Sequence, residues 1–405
     1  MTGVVERVER NEQDRGSVES GKAVRSGTHR IRTPEATWDL IRPHFPAFGI
    51  TRVADVTWLD DLGIPVSIAV RPLGQTLSSA QGKGLTQELS RVSAAMEAIE
   101  FWYAEREIAA VVTASAAMVQ PGYDIQVLNQ QMLSVLDEHV VLDWTPGREL
   151  GTGRECWIPT GYITVNSVMT STWSPPLFRA TTNGLASGNT VVEAVAHGLY
   201  EVIERDSIAA SHALPLSRRP VLDLDTVDDP GCRWLIERYR AAGNHLEVFD
   251  VTSDIGVPCF EANAWSASLP LMFNGSGAHL DPAVALSRAL TEAAQARLTA
   301  INGTRDDLAP TLYTVGHGRR VRERQAPVPP PGPRVAFARQ TDLSGIEVDD
   351  DVSLVTELVD RRRSTRPIVV ELSSAELPIA VVKVVVPGMD YEPGHRESRA
   401  RREDR

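Results

Sequence analysis

The sequence predicts a mixed α+β or α/β fold in which long helices pack on β-sheets. Segments with apolar residues at helical spacing alternate along the chain with short β-branched runs. The chain has 405 residues, of which 42% are hydrophobic and 23% are charged. This is the balance of a globular protein, and the length is sufficient for a large buried core.

Composition and charge exclude several classes of protein. No apolar run approaches the ~20 residues that span a bilayer, and the charged start of the chain lacks the apolar core of a signal peptide. Cys156, Cys232 and Cys259 are isolated, so they indicate neither a disulfide framework nor a zinc site. The formal net charge of −12 argues against nucleic acid as a main partner. We therefore expect a cytoplasmic protein without nucleic-acid or membrane partners.

The first half of the chain begins with a polar segment, residues 1 to about 30, whose mixed charges predict disorder. Thr33 and Pro34 suit the N-cap and first turn of a helix that ends before Pro43. The elements expected next are strands at 51–59 and 64–71, a glycine-flanked lysine at 78–84, a helix at 86–107, a helix near 126–139 and strand-like pieces at 157–165.

The second half centres on residues 181–206, where small residues and glycines lead into a segment with helical apolar spacing. A proline- and arginine-rich surface loop is expected at 319–334, and a flexible charged tail at 391–405. We expect one domain over 33–390. Its other elements are helices at 234–242, 282–302 and 352–363, strands at 246–251, 259–265, 368–372 and 379–386, and a glycine-rich turn at 274–277.

Three of the predicted helices repeat a pair of oxygen-bearing side chains three residues apart. The pairs are Glu97 with Glu100, Glu201 with Glu204, and Glu292 with Gln295. Such neighbours share a helix face, and two carboxylates repel each other there unless a cation intervenes. The alternative is a solvated acidic face compensated by Lys or Arg. Oxygen ligands of this kind suit Mg²⁺, which completes its shell with water and nucleotide phosphates.

Basic and amide side chains near these pairs are candidate phosphate contacts. Lys83 lies between two glycines, where it either contacts a phosphate or sits in an ordinary turn; the stretch does not match a Walker A loop. Arg205 and Arg297 either neutralise phosphate oxygens or form ordinary salt bridges. Asn183 precedes Gly184, so it is either a ligand contact or a turn residue.

Other polar residues share the faces of the acidic pairs. Ser93 lies one turn before Glu97, and Glu193 projects from the same side of its helix as the acids that follow it. His197 is one turn from Glu193 and one from Glu201, so it is either a site residue or a packed histidine. The sequence assigns no catalytic acid, base or nucleophile.

Taken in order, these motifs resemble the YcaO family. The resemblance runs from about residue 40 to 390 and keeps every motif in sequence. The matching residues are Gly82-Lys83-Gly84, Ser93, Glu97, Glu100, Asn183, Gly184, Ala186, Gly188, Glu193, Glu201, Glu204, Arg205, Asp206, Glu292, Gln295, Arg297 and Pro387-Gly388. It implies a YcaO-like fold around a central nucleotide site, and an enzyme that uses ATP and Mg²⁺ to phosphorylate the oxygen of a peptide backbone amide.

The resemblance also implies that the site residues form two groups, one that binds the metal and one that surrounds the nucleotide. The metal shell would comprise Glu97, Glu100, Glu201, Glu204, Glu292 and Gln295. The residues around the nucleotide would be Lys83, Ser93, Asn183, Glu193, Arg205 and Arg297.

The segment 33–57 is similar to YcaO proteins that work with a TfuA partner and are linked to peptide thioamides. The tail 391–405 lacks the proline-rich end of azoline-forming members. The resemblance therefore implies a precursor peptide as substrate, a TfuA-like protein for sulfur delivery, and a homodimer. Two alternatives stay open: an azoline-forming cyclodehydratase component, and a non-catalytic nucleotide-binding accessory factor to ribosomal-protein methylthiolation.

Overall fold

Helices and strands alternate along the chain in a computed structural model that describes residues 21–389, except 25, 107, 109, 132–133, 166–175, 180, 306, 309–326 and 374–376. The helices are α1 (Pro34–Ile41), α2 (Gln87–Ala104), α3 (Ala116–Val119), α4 (Thr160–Ile163), α5 (Val191–His212), α6 (Pro230–Ala241), α7 (Pro282–Asn302) and α8 (Val348–Arg363). The strands are β1 (Arg52–Asp55), β2 (Val66–Val70), β3 (Ser79–Lys83), β4 (Val112–Ser115), β5 (Val141–Glu149), β6 (Glu155–Pro159), β7 (Leu185–Gly188), β8 (Val221–Asp223), β9 (His245–Asp250), β10 (Cys259–Trp265), β11 (Phe273–Ala278), β12 (Arg334–Ala336), β13 (Ile368–Glu371) and β14 (Ala380–Val385). This mixed content confirms the predicted fold class.

The described strands form three sheets. Their orders are β1-β2-β3, β11-β10-β9-β8-β12 and β4-β5-β13-β14-β7, with β6 added beside β5. Each sheet ends on a strand that leads directly into one of the three acidic helices: β3 into α2, β7 into α5, and β11 into α7. The topology therefore brings the acidic helices from three separate parts of the sequence to three sheet edges.

Each of these edge strands carries a glycine against the backbone of the helix that follows it. A Cβ atom on Gly82 would lie 2.0 Å from the Ala94 amide nitrogen, and one on Gly275 would lie 2.2 Å from that of Ala293. On Gly188 it would lie 2.5 Å from the backbone nitrogen of the helix. These glycines serve close strand–helix packing. The predicted glycine-rich turn at 274–277 is wrong, because these residues lie within β11, and the glycine-flanked Lys83 is the last residue of β3.

Side-chain caps begin the acidic helices. Thr86 accepts a hydrogen bond from the Leu89 amide at the start of α2, and Thr190 accepts one from the Glu193 amide at the start of α5. Asp281 caps α7 in the same way. Such caps satisfy N–H groups that lack partners within the helix, and each contributes ~1 kcal/mol.

The inner faces of the three helices bury apolar side chains in separate clusters. On α2, Ile99 packs in one cluster; on α5, Leu199 packs against Val384 of β14; on α7, Leu290 packs with Phe260 of β10. All of these side chains are almost entirely buried. Burying one such side chain stabilises the fold by roughly 1.5–3 kcal/mol, so the polar faces of the helices are held in fixed orientations.

Two predicted elements in the middle of the chain are wrong. The helix expected near 126–139 is only the 3-10 turn Ile125–Val127 among the described residues there. Asp124 and Asp137 accept hydrogen bonds from backbone amides two residues ahead, which favours turns over a continuous helix. The strand-like stretch 157–165 divides into the end of β6 and the short helix α4.

The N-terminal segment departs from the prediction of disorder where the structure describes it, at residues 21–24 and 26–30. Lys22 Nζ lies 2.7 Å from Asp351 Oδ2, with both side chains buried, and Val24 pairs with Arg30 in an antiparallel bridge. Residues 1–20, most of the loop 319–334 and the tail 391–405 lie outside the described residues. None of the helices in the described part of the chain combines the length and the apolar character needed to cross a bilayer.

Candidate active site

Helices α2, α5 and α7 border a cavity of about 630 Å³. The same three helical positions, n, n+4 and n+7, face this cavity from each helix. They are Ser93, Glu97 and Glu100 on α2; His197, Glu201 and Glu204 on α5; and Arg288, Glu292 and Gln295 on α7. The structure thus brings together the three pairs that the sequence pattern singled out.

The two carboxyl groups of α2 are half-buried against the neighbouring sheets. Glu97 accepts a hydrogen bond of 3.2 Å from the Gln81 amide, and burial raises the pKa of Glu97 to about 7. Glu100 accepts hydrogen bonds from the Ser187 amide and hydroxyl at 2.8 and 2.5 Å. Burial nevertheless raises the pKa of Glu100 to about 8. Both groups therefore hold a proton for much of the time near neutral pH.

The acids of α5 lie beside two cations. Burial raises the pKa of Glu201 to about 7, although the Arg205 guanidinium opposes the shift. Lys383 of β14 is buried, donates to the Thr181 carbonyl at 2.7 Å, and has its pKa lowered to about 8 by burial. Glu204 accepts a hydrogen bond of 2.7 Å from the Ser276 hydroxyl and lies 3.9 Å from Arg205 Nε.

The third pair, on α7, joins the wall formed by β3. Glu292 Oε2 lies 2.6 Å from Lys83 Nζ. Burial alone would raise the pKa of Glu292, but Lys83 and Arg205 hold it below its ordinary value. Gln295 donates a hydrogen bond of 3.3 Å to the Gln81 carbonyl, while its buried Oε1 has no partner among the described residues.

This donor set fits a divalent cation that prefers oxygen ligands. Six carboxylates line one cavity, and burial raises the pKa of Glu97, Glu100 and Glu201. An unpartnered buried oxygen such as Gln295 Oε1 costs ~1–3 kcal/mol and is a ready ligand. A bound Mg²⁺ would stabilise the charged carboxylates and take the Gln295 Oε1 atom as a ligand.

The remaining predicted residues divide into those on the cavity wall and those elsewhere. Ser93 and Arg205 are on the wall. Glu193 is also on the wall, and it accepts hydrogen bonds from the Asn189 amide and the Ile31 amide at 3.1 and 2.9 Å. Asn183 is not on the wall; its Oδ1 is buried without a hydrogen-bond partner among the described residues.

Arg297 does not reach the cavity, so its expected place beside a nucleotide is not what the structure shows. Its Nε lies 2.8 Å from Asp60 Oδ2, and its Nη1 donates to the Ser266 hydroxyl at 2.8 Å. Both charged side chains are at most 4% exposed. Arg297 lies five residues beyond Glu292, which turns it about 140° around the helix axis. The alternative of an ordinary salt bridge therefore describes this residue.

Two cavity residues on α5 and α7 contact each other. Arg288 was not singled out from the sequence, and His197 was left open between a site residue and a packed one. Arg288 Nη2 donates to His197 Nε2 at 3.1 Å, and burial lowers the pKa of His197 well below its ordinary value. Each stands four residues before the first acid of the pair on its helix, as Ser93 does before Glu97. That shared offset is the signal that could have identified both.

Comparison with known proteins identifies the family. A family model described as YcaO cyclodehydratase, ATP- and Mg²⁺-binding, matches residues 81–390. The chain belongs to the YcaO family. An uncharacterized protein of Mycobacterium tuberculosis is 40% identical over 374 residues, 91% of this chain and 84% of the relative. An uncharacterized protein in the tfuA 3′ region of Rhizobium leguminosarum bv. trifolii is 33% identical over 389 residues, 90% and 89% of the two chains.

Solved structures show the same fold. The YcaO protein of Methanopyrus kandleri bound with AMPPCP and Mg²⁺ has a TM-score of 0.72 at 24% identity, with 94% of this chain and 96% of that chain covered. A heterocyclase in complex with substrate and cofactor has a TM-score of 0.73 at 22% identity and covers 92% of this chain. This chain spans about half of that heterocyclase, 54% of its length. The predicted family and fold are confirmed, and ATP and Mg²⁺ are the cofactors by which the family is described.

Proposed function

We propose that this protein uses ATP and Mg²⁺ to activate a backbone amide of a ribosomally made precursor peptide, and that the product is a thioamide made with a TfuA-like partner. The observation that carries the proposal is the meeting of three acidic helices at one cavity, in a chain of the YcaO family. We further propose that the protein works as a cytoplasmic homodimer, which sedimentation analysis would test.

The site residues divide into two groups in this proposal. Those that would hold Mg²⁺ are Glu97, Glu100, Glu201, Glu204, Glu292 and Gln295, and those that would contact the nucleotide are Lys83, Ser93, Glu193 and Arg205. When bound, ATP supplies the phosphoryl group that converts the amide oxygen into a leaving group, and Mg²⁺ offsets the charge of the phosphates. We do not extend the nucleotide contact to Asn183 or Arg297, because neither is on the cavity wall.

The protein itself would contribute charged side chains that are already in position before the substrate binds. Lys83 and Arg205 bring two cations to the acidic cluster, and the Lys83 contact favours the charged form of Glu292. Preorganised charges of this kind stabilise developing negative charge without reorganising during the reaction.

The thioamide product is supported by the sequence relationship to the protein from the tfuA 3′ region and by the TfuA-like character of residues 33–57. The test is incubation with ATP, Mg²⁺, sulfide, candidate precursor peptides and a TfuA-like protein. We expect peptide-dependent phosphate release and a mass change equal to exchange of one oxygen for sulfur. Phosphate release without sulfur incorporation, with the partner and sulfide present, would contradict the thioamide assignment.

Azoline formation is the second candidate, and it is favoured by the description of the family as cyclodehydratases. In that reaction a Cys, Ser or Thr side chain of the peptide adds to the activated amide carbon. The same experiment distinguishes the two products, because an azoline loses one water from the peptide and requires no sulfide. A third outcome, nucleotide binding without hydrolysis for any peptide or partner supplied, would favour an accessory role instead.

A further inference from the structure

Strand β11 is the outer strand of its sheet, so one of its two edges has no neighbouring strand among the described residues. The His279 amide, just after β11, donates to the Pro258 carbonyl at 3.1 Å in the register that pairs β11 with β10. Backbone groups of an antiparallel strand alternate in direction, so every second residue before His279 also bonds to β10. The N–H and C=O groups of Asn274 and Ser276 therefore point to the free edge.

This free edge faces the cavity, between α5 and α7. Side chains of a strand alternate between the two faces of its sheet. The Ser276 hydroxyl points to the face covered by α5 and donates to Glu204 Oε1 at 2.7 Å. On the opposite face, a Cβ atom on Gly275 would lie 2.2 Å from the Ala293 amide nitrogen of α7. Ser276 Oγ also lies 3.5 Å from Glu292 Oε1, so the edge runs between the acids of the two helices.

The backbone amides along this edge differ from those of the other two edge strands. The amides of Gln81 in β3 and Ser187 in β7 each donate to a glutamate of α2, at 3.2 and 2.8 Å. The amides of Asn274 and Ser276 have no hydrogen-bond partner in the described part of the chain. The edge of β11 therefore offers main-chain donors and acceptors that the other two edges have already used at these positions.

Asn274 lies at the mouth of the cavity on this edge. It is exposed and belongs to the cavity wall, whereas Ser276 is buried further in. The Asn274 side chain donates to Asn263 Oδ1 at 2.5 Å on the neighbouring strand, so it does not fold over its own backbone. An unpaired strand edge of this kind is a template for another strand. Ser276 is two residues away, ~7 Å along the strand.

We infer that the exposed end of β11, at Asn274, is a docking edge on which an extended peptide pairs as one further short strand. A peptide that pairs with Asn274 carries its next amide towards Ser276, and so towards the acids that Ser276 contacts. The edge continues into the cavity, which is why the occupant is the peptide whose amide reacts there. Main-chain pairing of this kind uses no side chain of the peptide. The inference rests on the proposed function for the identity of the occupant as the substrate peptide.

The test removes one main-chain donor. Asn274→Pro loses the N–H that faces the peptide but no hydrogen bond of the sheet, because that N–H does not bond to β10. Asn274→Ala is the matched control, since it loses the same side chain and keeps the N–H. Binding of a tetraglycine peptide blocked at both ends is measured by saturation-transfer NMR on the full-length protein, with a non-hydrolysable ATP analogue and Mg²⁺ present. We expect Asn274→Pro to weaken binding roughly fivefold, the loss of one hydrogen bond, and Asn274→Ala to match the wild type.

Both variants should bind the ATP analogue as the wild type does, which calorimetry measures. Equal peptide affinity of Asn274→Pro and the wild type, or no saturation transfer from the wild type, would overturn the inference. So would an equal loss in Asn274→Ala, since the side chain would then be the contact. A change of oligomeric state in Asn274→Pro alone, measured by sedimentation, would overturn it by assigning the edge to a second copy of the chain.

A second measurement needs no substitution. Hydrogen exchange of the wild type loaded with the ATP analogue is followed by mass spectrometry. Saturating blocked tetraglycine should slow exchange several-fold in the fragment that contains Asn274, and unchanged exchange would overturn the docking edge whatever the variants show. Neither measurement requires turnover. A protein that binds blocked tetraglycine at β11 but modifies no candidate precursor would therefore refute the proposed function and leave this inference standing.

Discussion

The Lys83 ammonium lies 2.6 Å from the Glu292 carboxylate and joins β3 to α7 across the edge of the cavity. The two residues are distant in sequence, and each belongs to a different sheet–helix unit. Their contact places a cation within a cluster of buried carboxyl groups. It therefore favours the charged form of Glu292 before any ligand arrives.

Replacing Lys83 by methionine should weaken Mg²⁺-dependent ATP binding by at least about tenfold, the effect of losing one charged contact. Without the ammonium, burial would dominate and raise the pKa of Glu292. The affinity loss should therefore be larger at pH 6 than at pH 8, which calorimetry at the two pH values measures. Arg361→Gln, at an exposed position of α8, is the control. A loss that does not change with pH would contradict the proposed charge coupling.

The buried carboxyl groups predict a stability that depends on pH in the absence of metal. An unfolded glutamate has a pKa of about 4.3, whereas burial raises the pKa of Glu100 to about 8. The folded state therefore binds more protons between these values, and stability falls as pH rises through this window. In thermal unfolding in EDTA from pH 5 to 8, the Tm of the wild type should therefore fall relative to that of Glu100→Gln.

Glu237→Gln, at an exposed position of α6, is the control for that slope and should match the wild type. Added Mg²⁺ should flatten the wild-type slope, because the metal binds the deprotonated carboxylates. Equal slopes for Glu100→Gln and the wild type in EDTA would show that Glu100 is not held protonated by burial.

We expect Arg297 to stabilise the fold and not to bind the nucleotide. Arg297→Met leaves the buried carboxylate of Asp60 unpaired, and we expect a loss of about 3–5 kcal/mol in the free energy of unfolding, measured with urea. The pair Asp60→Asn with Arg297→Met should recover much of this, because no buried charge remains. ATP affinity of the folded double variant should match the wild type. A large loss of ATP affinity in a double variant that is as stable as the wild type would show that Arg297 does contact the nucleotide.

The glycines of the edge strands should tolerate no side chain. In Gly82→Ala the new Cβ would lie 2.0 Å from a backbone nitrogen of α2 and 2.2 Å from the Ser90 carbonyl. We expect a loss of about 1–3 kcal/mol or more in unfolding free energy. Gly161→Ala is the control, since its nearest neighbour there would be 4.0 Å away. Equal stability of the two variants would contradict the role assigned to Gly82.

The sequence was most informative where the helical period determines both which side chains are buried and which side chains face the cavity. Leu199 and Glu201 belong to the same helix, and the apolar spacing that buries the first also determines where the second points. For this reason the bounds of α7 and β10 were predicted to the residue, and the three acidic pairs were found. The family relationship then supplied the nucleotide and the metal.

Local patterns failed where a distant part of the chain decides the structure. Glycines in β3 and β11 suggested turns, because the helix that packs on each strand is not visible in a short window. Arg297 stands close to Glu292 in sequence, but its partner Asp60 comes from another region. The ordering of Lys22 likewise depends on Asp351, more than three hundred residues away. Contacts of this kind are set by topology.

The most direct test of the central claim is the Mg²⁺ dependence of ATP binding, measured by calorimetry on the full chain. We predict binding by the wild type and by Glu237→Gln only when Mg²⁺ is present. The double variant Glu201→Gln with Glu204→Gln should lose at least about 100-fold in affinity, as expected when two buried metal ligands are removed. Unchanged ATP binding by that double variant, or equal binding by the wild type in EDTA, would show that the three acidic helices do not form a Mg²⁺–nucleotide site.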